Sequence, residues 1–141
     1  MKATGLVRRV DDLGRIIIPK ELRRTLRIKE GTPLEFFIDD GGICLLKYKA
    51  YEDITWDTAD KIISPIISGY SILDCHGDMV KCNGVKVKTV EEAEARDDLI
   101  VKEIRNFENT LAYIVVSKSN SSEKIDLAAQ VLTKFLEESE V

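Results

Sequence analysis

Three consecutive isoleucines, Ile16–Ile18, constrain most strongly what the start of this chain can fold into. They follow the turn-forming segment Asp11–Gly14 and precede Pro19, so a short strand is predicted between the turn and the proline. Because successive side chains of a strand point to opposite faces, Ile17 faces away from its two neighbours. One apolar face would stay in water in a single chain. The pattern therefore predicts an obligate dimer in which a second chain covers that face.

The remainder of the first fifty residues supplies only short elements. A proline is favourable in the first turn of a helix, so a helix is expected to begin after Pro19. Four short strands and one two-turn helix bury little core alone, which again favours a dimer. The elements predicted here are a strand over Gly5–Val10, a strand over Arg15–Ile18, a helix over Lys20–Leu26, a strand over Leu34–Ile38, a turn over Asp39–Gly42 and a strand over Ile43–Tyr48.

Residues 51–141 read as a separate α+β unit, with helices on one face of a small sheet. Thr89 with Glu92 three residues later forms a capping-box pattern, which predicts a helix start. The apolar side of the last helix is predicted to carry Ile125, Leu127, Ala128, Val131, Leu132 and Phe135. The elements predicted in order are helix Glu52–Ile67, strand Gly69–Cys75, turn His76–Asp78, strand Met79–Asn83, helix Val90–Asn106, strand Leu111–Ser117 and helix Glu123–Glu138.

Charge is divided unevenly along the chain. Residues 1–30 hold nine of the 21 Lys and Arg residues but only four of the 25 Asp and Glu residues. Residues 1–50 carry a net charge of +4, whereas residues 51–141 carry −8, and the whole chain is at −4. A positive surface confined to one end of an acidic protein indicates a polyanion partner, most often nucleic acid.

The basic side chains of this region come from three predicted elements, a strand, a turn and a helix. Guanidinium groups bind phosphates and can contact guanine edges through two hydrogen bonds, while lysine supplies a less directional charge. A dimer would present this set twice. The candidate DNA-binding residues are Arg8, Arg9, Arg15, Lys20, Arg23, Arg24 and Arg27.

The stretch MKATGLVRRVDDLGRIIIPKELRRTLRIKEGTPLEFFIDDGG resembles the N-terminal DNA-binding domain of the AbrB/SpoVT family of bacterial transition-state and sporulation regulators. The resemblance covers about Met1–Lys49, and VRRVDDLGRIIIPKELRRTLRI is its most specific part. It implies a swapped-hairpin dimer, in which two chains interleave their strands. The family's DNA-contacting arginines fall on Arg8, Arg15, Arg23 and Arg24, and Arg9 and Lys20 are implied phosphate contacts.

The resemblance continues into a GAF-like domain. GYSILDCHGD and LAYIVVSKSNSSEKIDLAAQVLTKFLEE are similar, in this order, to the start and end of such a domain. The segment between Asn83 and Thr110 is shorter than usual, which implies a reduced GAF-like domain. The implied fold class is α+β, with a β-rich swapped-hairpin dimerisation and DNA-binding domain over residues 1–50 and the reduced GAF-like domain over residues 51–141. Expected partners are double-stranded DNA, further copies of the chain as a dimer or tetramer, and an unidentified small-molecule effector.

Other functions find less support in the sequence. An antitoxin of the MazE type is the main alternative, because the same swapped-hairpin head occurs there. Enzyme activity is not expected, since no nucleophile–base pair or phosphate-binding glycine loop is recognisable. Trp56 and Tyr51 could stack on a base, although such aromatics more often anchor a core.

No cofactor or metal is expected either. The spacing of Cys75, His76 and Cys82 is poor for zinc and lacks a fourth ligand. An odd set of three cysteines is typical of a reducing compartment. With no long apolar run and no secretory signal pattern, the sequence predicts a cytoplasmic protein that spans no membrane.

Overall fold

The computed structural model describes residues 2–107 and 109–139. They form two compact units that divide between Tyr48 and Lys49. We call them the N-terminal unit (residues 2–48) and the C-terminal unit (residues 49–139). The outer bounds of the two predicted domains, Met1 and Val141, lie outside the described residues.

The N-terminal unit contains one helix and one hairpin. Helix α1 spans Lys20–Leu26, as predicted, and strands β1 (Leu34–Asp39) and β2 (Gly42–Lys47) pair antiparallel. Asp40 and Gly41 form the two-residue turn between them, with φ angles of 43° and 84°. Two successive left-handed residues give the turn type whose twist matches that of paired strands, and Asp-Gly is a preferred sequence for it. The predicted hairpin is therefore confirmed.

Helix α1 is short because both of its ends are fixed locally. Pro19 precedes it, and its carbonyl accepts the Arg23 N–H at 3.0 Å. At the other end Arg27 adopts a left-handed conformation with φ of 56°. The next N–H, that of Ile28, donates to the Arg23 carbonyl at 2.8 Å, which closes the helix in a Schellman-type cap.

The strands predicted over Gly5–Val10 and Arg15–Ile18 do not form in the single chain. The Asp11–Gly14 turn between them is present, and the Asp11 N–H donates to the Arg15 carbonyl at 2.9 Å. A strand requires a neighbouring strand to accept its backbone hydrogen bonds. These two segments find no such ladder among the described residues, so neither of them forms a strand.

The N-terminal unit buries almost nothing of its own. Among its described residues Pro19 alone is buried. Apolar side chains that normally form a core are instead in water, and Ile38 is 90% exposed. The large apolar side chains left exposed in this unit are Leu6, Val7, Val10, Leu13, Ile16, Ile17, Leu26, Phe36, Phe37, Ile38, Ile43, Leu46 and Tyr48.

The C-terminal unit is built on a four-stranded antiparallel sheet. The strand order across the sheet is β4-β3-β6-β5, so the first two strands and the last two strands each form a hairpin. Its elements are α2 (Asp53–Ile63), β3 (Tyr70–Asp74), β4 (Met79–Asn83), α3 (Val90–Glu94), β5 (Leu99–Arg105), β6 (Thr110–Ser117) and α4 (Ser122–Ser139).

Both faces of this sheet are covered. On one face α2 and α4 pack against alternate sheet residues, including the fully buried Ile72 and Ile114. Tyr51 and Trp56 belong to this core, with ring centroids 5.3 Å apart in an edge-to-face arrangement. On the other face a smaller cluster joins Leu73 and Val115 to Ala93 of α3. The expectation that all helices share one face is therefore wrong for α3.

Several predicted elements of this unit differ from the observed ones. The charged helix predicted over Val90–Asn106 ends at Glu94, and Leu99–Arg105 is a strand paired with β6. The N-terminal cap of α3 is confirmed, because the Thr89 hydroxyl accepts the Glu92 N–H at 3.0 Å. Helix α2 ends before Pro65 rather than at Ile67. On α4, Leu127 is half exposed, while Leu136 is buried.

A pH-dependent stability effect is expected at Asp74, which ends β3. Its Oδ1 accepts the N–H groups of His76 and Asp78, at 2.9 and 3.0 Å. Burial, with the nearby charge of Asp78, raises the pKa of the Asp74 carboxyl above its ordinary value of 3.8. A raised pKa in the folded state means that ionisation opposes folding. This cost is absent below the unfolded pKa and grows as the pH rises through the folded one.

Asp74→Asn retains the Oδ1 acceptor and removes the charge. We expect a Tm higher by roughly 1–3 °C at pH 7, with the difference shrinking as the pH falls towards 4. Thermal unfolding of both proteins at several pH values measures this. A variant that is less stable than the wild type at pH 7 would contradict the expectation.

Candidate nucleic-acid interface

Arg15 lies directly after the Asp11–Gly14 turn and is held there by Asp11. The Arg15 Nε–H donates to Asp11 Oδ2 at 2.7 Å, and the Arg15 backbone N–H donates to Asp11 Oδ1 at 2.8 Å. The Leu13 N–H donates to the same Oδ1 at 2.9 Å. The backbone and the guanidinium of Arg15 hold the pKa of Asp11 below its usual range, so the carboxylate is charged at neutral pH.

Helix α1 presents a second group of cations. Lys20 begins the helix, and Arg23 and Arg24 lie in its last turn, where positive charge interacts favourably with the helix dipole. The Arg23 Nε–H donates to the Ile18 carbonyl at 3.1 Å, which ties the helix to the segment before it. Arg27 is the C-terminal cap and is partly buried.

Arg8 and Arg9 lie on the irregular segment before the turn, and both are exposed. Arg8 Nη1 donates to the carbonyl of its neighbour Val7 at 2.8 Å. The side chains of Arg9, Lys20 and Arg24 make no hydrogen bond or ion pair with any other described residue. Three of the candidate cations are thus available to an external anion.

The contacts within the N-terminal unit link the seven candidates only in part. Arg15 is fixed to its turn, and Arg23 is fixed to the segment that leads into α1. No hydrogen bond within residues 2–48 joins the Arg8 side chain to either of them. The convergence of Arg8, Arg15, Arg23 and Arg24 on one surface stays a prediction.

Sequence reasoning missed Asp11 as part of the candidate site. It treated the residue only as a turn former, whereas the structure uses its carboxylate for three hydrogen bonds, two of them to Arg15. The available signal was the spacing of an Asp four residues before an Arg across a turn that contains Gly14. In such a turn an Asp side chain caps backbone N–H groups two or more residues ahead.

Comparisons with known proteins concentrate on the same region. The sequence model described as "Antidote-toxin recognition MazE, bacterial antitoxin" matches residues 7–53. Stage V sporulation protein T of Bacillus subtilis (strain 168) is 52% identical over 83 residues, which cover 56% of this chain and 46% of that protein. The transition state regulatory protein AbrB of the same strain is 61% identical over 49 residues, 35% of this chain and 51% of that protein. The chain belongs to the AbrB/SpoVT family.

A solved relative covers the N-terminal part of this AbrB/SpoVT chain. The solution structure of the N-domain of the transcription factor AbrB is 61% identical over 35% of this chain and 94% of that chain, with a TM-score of 0.33. The chain spans about half the length of the curated relatives that it matches. The 83-residue match to stage V sporulation protein T is longer than the basic region, so the family similarity extends into the C-terminal unit.

Within residues 2–107 and 109–139, no three His, Cys, Asp or Glu side chains are grouped so as to hold a metal ion. No helix in the described part of the chain is both long enough and apolar enough to cross a membrane.

Proposed function

We propose that this protein is a transcription regulator that binds double-stranded DNA and has no catalytic role. The observation that carries the proposal is the set of exposed cations on a segment 61% identical to AbrB. The N-terminal part of AbrB is described as a DNA recognition domain. The assignment of residues 1–50 to DNA binding follows from this, and so does the division of labour with an acidic remainder.

Within this proposal the seven cations have two roles. The duplex contacts that carry most of the binding are Arg8, Arg15, Arg23 and Arg24, because a guanidinium can bind a phosphate or a guanine edge through two hydrogen bonds. Arg9, Lys20 and Arg27 add phosphate contacts, which fix position and contribute affinity without sequence information. DNA shape then contributes to the choice of site.

A dimer is the proposed DNA-binding form. Its support is the exposure of apolar side chains both on residues 5–18 and on the β1–β2 hairpin of the N-terminal unit. Phe36 and Ile38 lie on one face of that hairpin, opposite Leu45 and Ile43. A single chain leaves this face in water, whereas an interleaved second chain would cover it and supply the strand partners that residues 5–10 and 15–18 lack.

The C-terminal unit is proposed to be a shortened GAF-like domain that controls assembly. Of the two segments that resemble a GAF-like domain, the first contains β3, and the second contains most of β6 and most of α4. β3 and β6 are neighbouring strands, with Ile72 opposite Ile114. Between α2 and α4 runs an open groove of about 390 Å³, lined in part by Ile62, Val131 and Phe135. Pairing of these helices between subunits would join two dimers into a tetramer and raise avidity for DNA.

Salt dependence tests the DNA-binding proposal directly. If each dimer neutralises about eight phosphates, the slope of log K against log salt concentration is about −7. We expect this slope for a labelled duplex selected from genomic DNA, measured by fluorescence anisotropy between about 50 and 200 mM KCl. A slope near zero would contradict DNA binding through the seven proposed cations.

An antitoxin-like interaction module is the second candidate, favoured by the family description that matches residues 7–53. In that function the C-terminal region would wrap a toxin, and such tails tend to be disordered when free. The four-stranded sheet and two-sided core of the C-terminal unit favour the regulator instead. Limited proteolysis of the full chain distinguishes the two, because a packed C-terminal unit resists cleavage while a disordered tail is lost at once.

A further inference from the structure

The turn at Asp11–Gly14 holds the exposed Asp11 carboxylate in three hydrogen bonds. Asp11 Oδ1 accepts two backbone N–H groups, those of Leu13 and Arg15, and Oδ2 accepts the Arg15 side chain. The backbone adds the Asp11 N–H to the Arg15 carbonyl at 2.9 Å and the Gly14 N–H to the Asp11 carbonyl at 3.1 Å. The backbone of the turn therefore holds the Asp11 carboxylate in the orientation in which it binds the Arg15 guanidinium.

This geometry restrains a side chain that would otherwise move freely. The Arg15 side chain is 71% exposed and the Asp11 side chain 36% exposed. The ion pair uses the Nε–H of Arg15, so the four N–H donors on Nη1 and Nη2 remain for a phosphate or a base edge. An arginine that is already oriented loses less conformational freedom when it binds its target.

The expected effect of Asp11 is opposite in sign to that of an ordinary surface acid. A carboxylate near DNA repels phosphates, so its removal should strengthen binding, although salt screens this repulsion. A carboxylate that orients an arginine should weaken binding when it is removed. The sign of the change therefore separates the two roles.

We propose that Asp11 is a positioning residue for duplex binding, which acts by holding the Arg15 guanidinium in its binding orientation. This inference rests on the proposed function, because it needs Arg15 to contact DNA. It assigns a role in binding to an acidic residue within a basic surface.

The test compares Asp11→Asn with Asp12→Asn in the full-length chain. Asparagine keeps an Oδ1 acceptor for the turn but places an N–H₂ group where Oδ2 met the Arg15 Nε–H, so the turn survives and the ion pair does not. Asp12 is the matched control, because it is the neighbouring exposed acid of the same turn. On a labelled duplex at low salt, we expect Asp11→Asn to weaken binding about three- to ten-fold per chain. Asp12→Asn should leave affinity unchanged or raise it slightly.

Two further measurements identify the route of the effect. In the Arg15→Ala background, Asp11→Asn should cause no additional loss, because the residue that it positions is gone. The Nε–H signal of Arg15 in NMR spectra should be protected from exchange in the wild type and in Asp12→Asn, and unprotected in Asp11→Asn. Thermal unfolding checks that the variants fold alike.

The outcomes separate this inference from the proposed function. Equal or tighter binding by Asp11→Asn, relative to Asp12→Asn, overturns the positioning role while leaving DNA binding intact. An additional loss in the Arg15→Ala background also overturns it, because Asp11 would then act independently of Arg15. A wild-type protein that does not bind the duplex overturns the proposed function itself, and the positioning role falls with it.

Discussion

Replacing Arg23 by Ala is expected to weaken duplex binding by about ten- to a hundred-fold, because one strong arginine contact contributes roughly 1–3 kcal/mol. A dimer presents the residue twice, so the loss lies towards the upper end of that range. The same substitution should reduce the magnitude of the salt slope by about 1 for each phosphate contact that it removes. Fluorescence anisotropy at several salt concentrations measures both quantities on one duplex.

Arg23 and Arg24 are neighbours on α1, but their side chains make different contacts within the chain. Arg23 also bonds the Ile18 carbonyl, so its loss could disturb α1, whereas the Arg24 side chain has no bonded partner among the described residues. Arg24→Ala therefore tests the surface without touching the fold. Lys118→Ala, which removes an exposed charge from the C-terminal unit, is the control and should bind like the wild type. Unchanged affinity in both Arg15→Ala and Arg23→Ala would contradict the proposed surface.

Ile38→Glu is expected to disrupt the dimer contact of the N-terminal unit and, with it, DNA binding. Ile38 is 90% exposed in the single chain, so a carboxylate at that position stays hydrated and has no desolvation penalty in the monomer. In a dimer that covers the hairpin face, the same carboxylate would lie at the interface. Burying an unpaired charge costs about 3 kcal/mol or more, and a dimer contains two copies. Light scattering coupled to size-exclusion chromatography should report a smaller assembly than for the wild type.

Two comparisons make this result specific to the interface. Ile38→Leu keeps the apolar volume and should assemble normally. The C-terminal unit has its own core, so the thermal unfolding of that unit should be unaffected by Ile38→Glu. An assembly of wild-type size and stability in Ile38→Glu would show that this face stays in water.

Elements whose ends are fixed by local chemistry could be predicted from the sequence. Pro19 sets the start of α1, and Asp40-Gly41 sets the turn of the first hairpin. Thr89 and Glu92 cap α3. In each case the deciding interaction lies within a few residues, so a single sequence contains all the information that is needed.

The elements that were predicted wrongly depend instead on contacts between segments that are distant in sequence. Leu99–Arg105 mixes charged and apolar residues in a way that suits a helix or a strand, and its pairing with β6 decides the matter. The segments before and after Asp11–Gly14 find no strand partner among the described residues, so the strands predicted there do not form. The role of Asp11 depends on side-chain geometry in the turn, which residue spacing alone does not specify.

The near-absence of a buried core in the N-terminal unit has a consequence for how the cell could use this protein. If two chains must meet before this unit is complete, the amount of competent protein rises with the square of the chain concentration when chains are scarce. The occupancy of DNA sites would then rise more steeply than the expression level rather than in proportion to it. A two-fold change in chain concentration would then change the amount of competent protein about four-fold, with no ligand required.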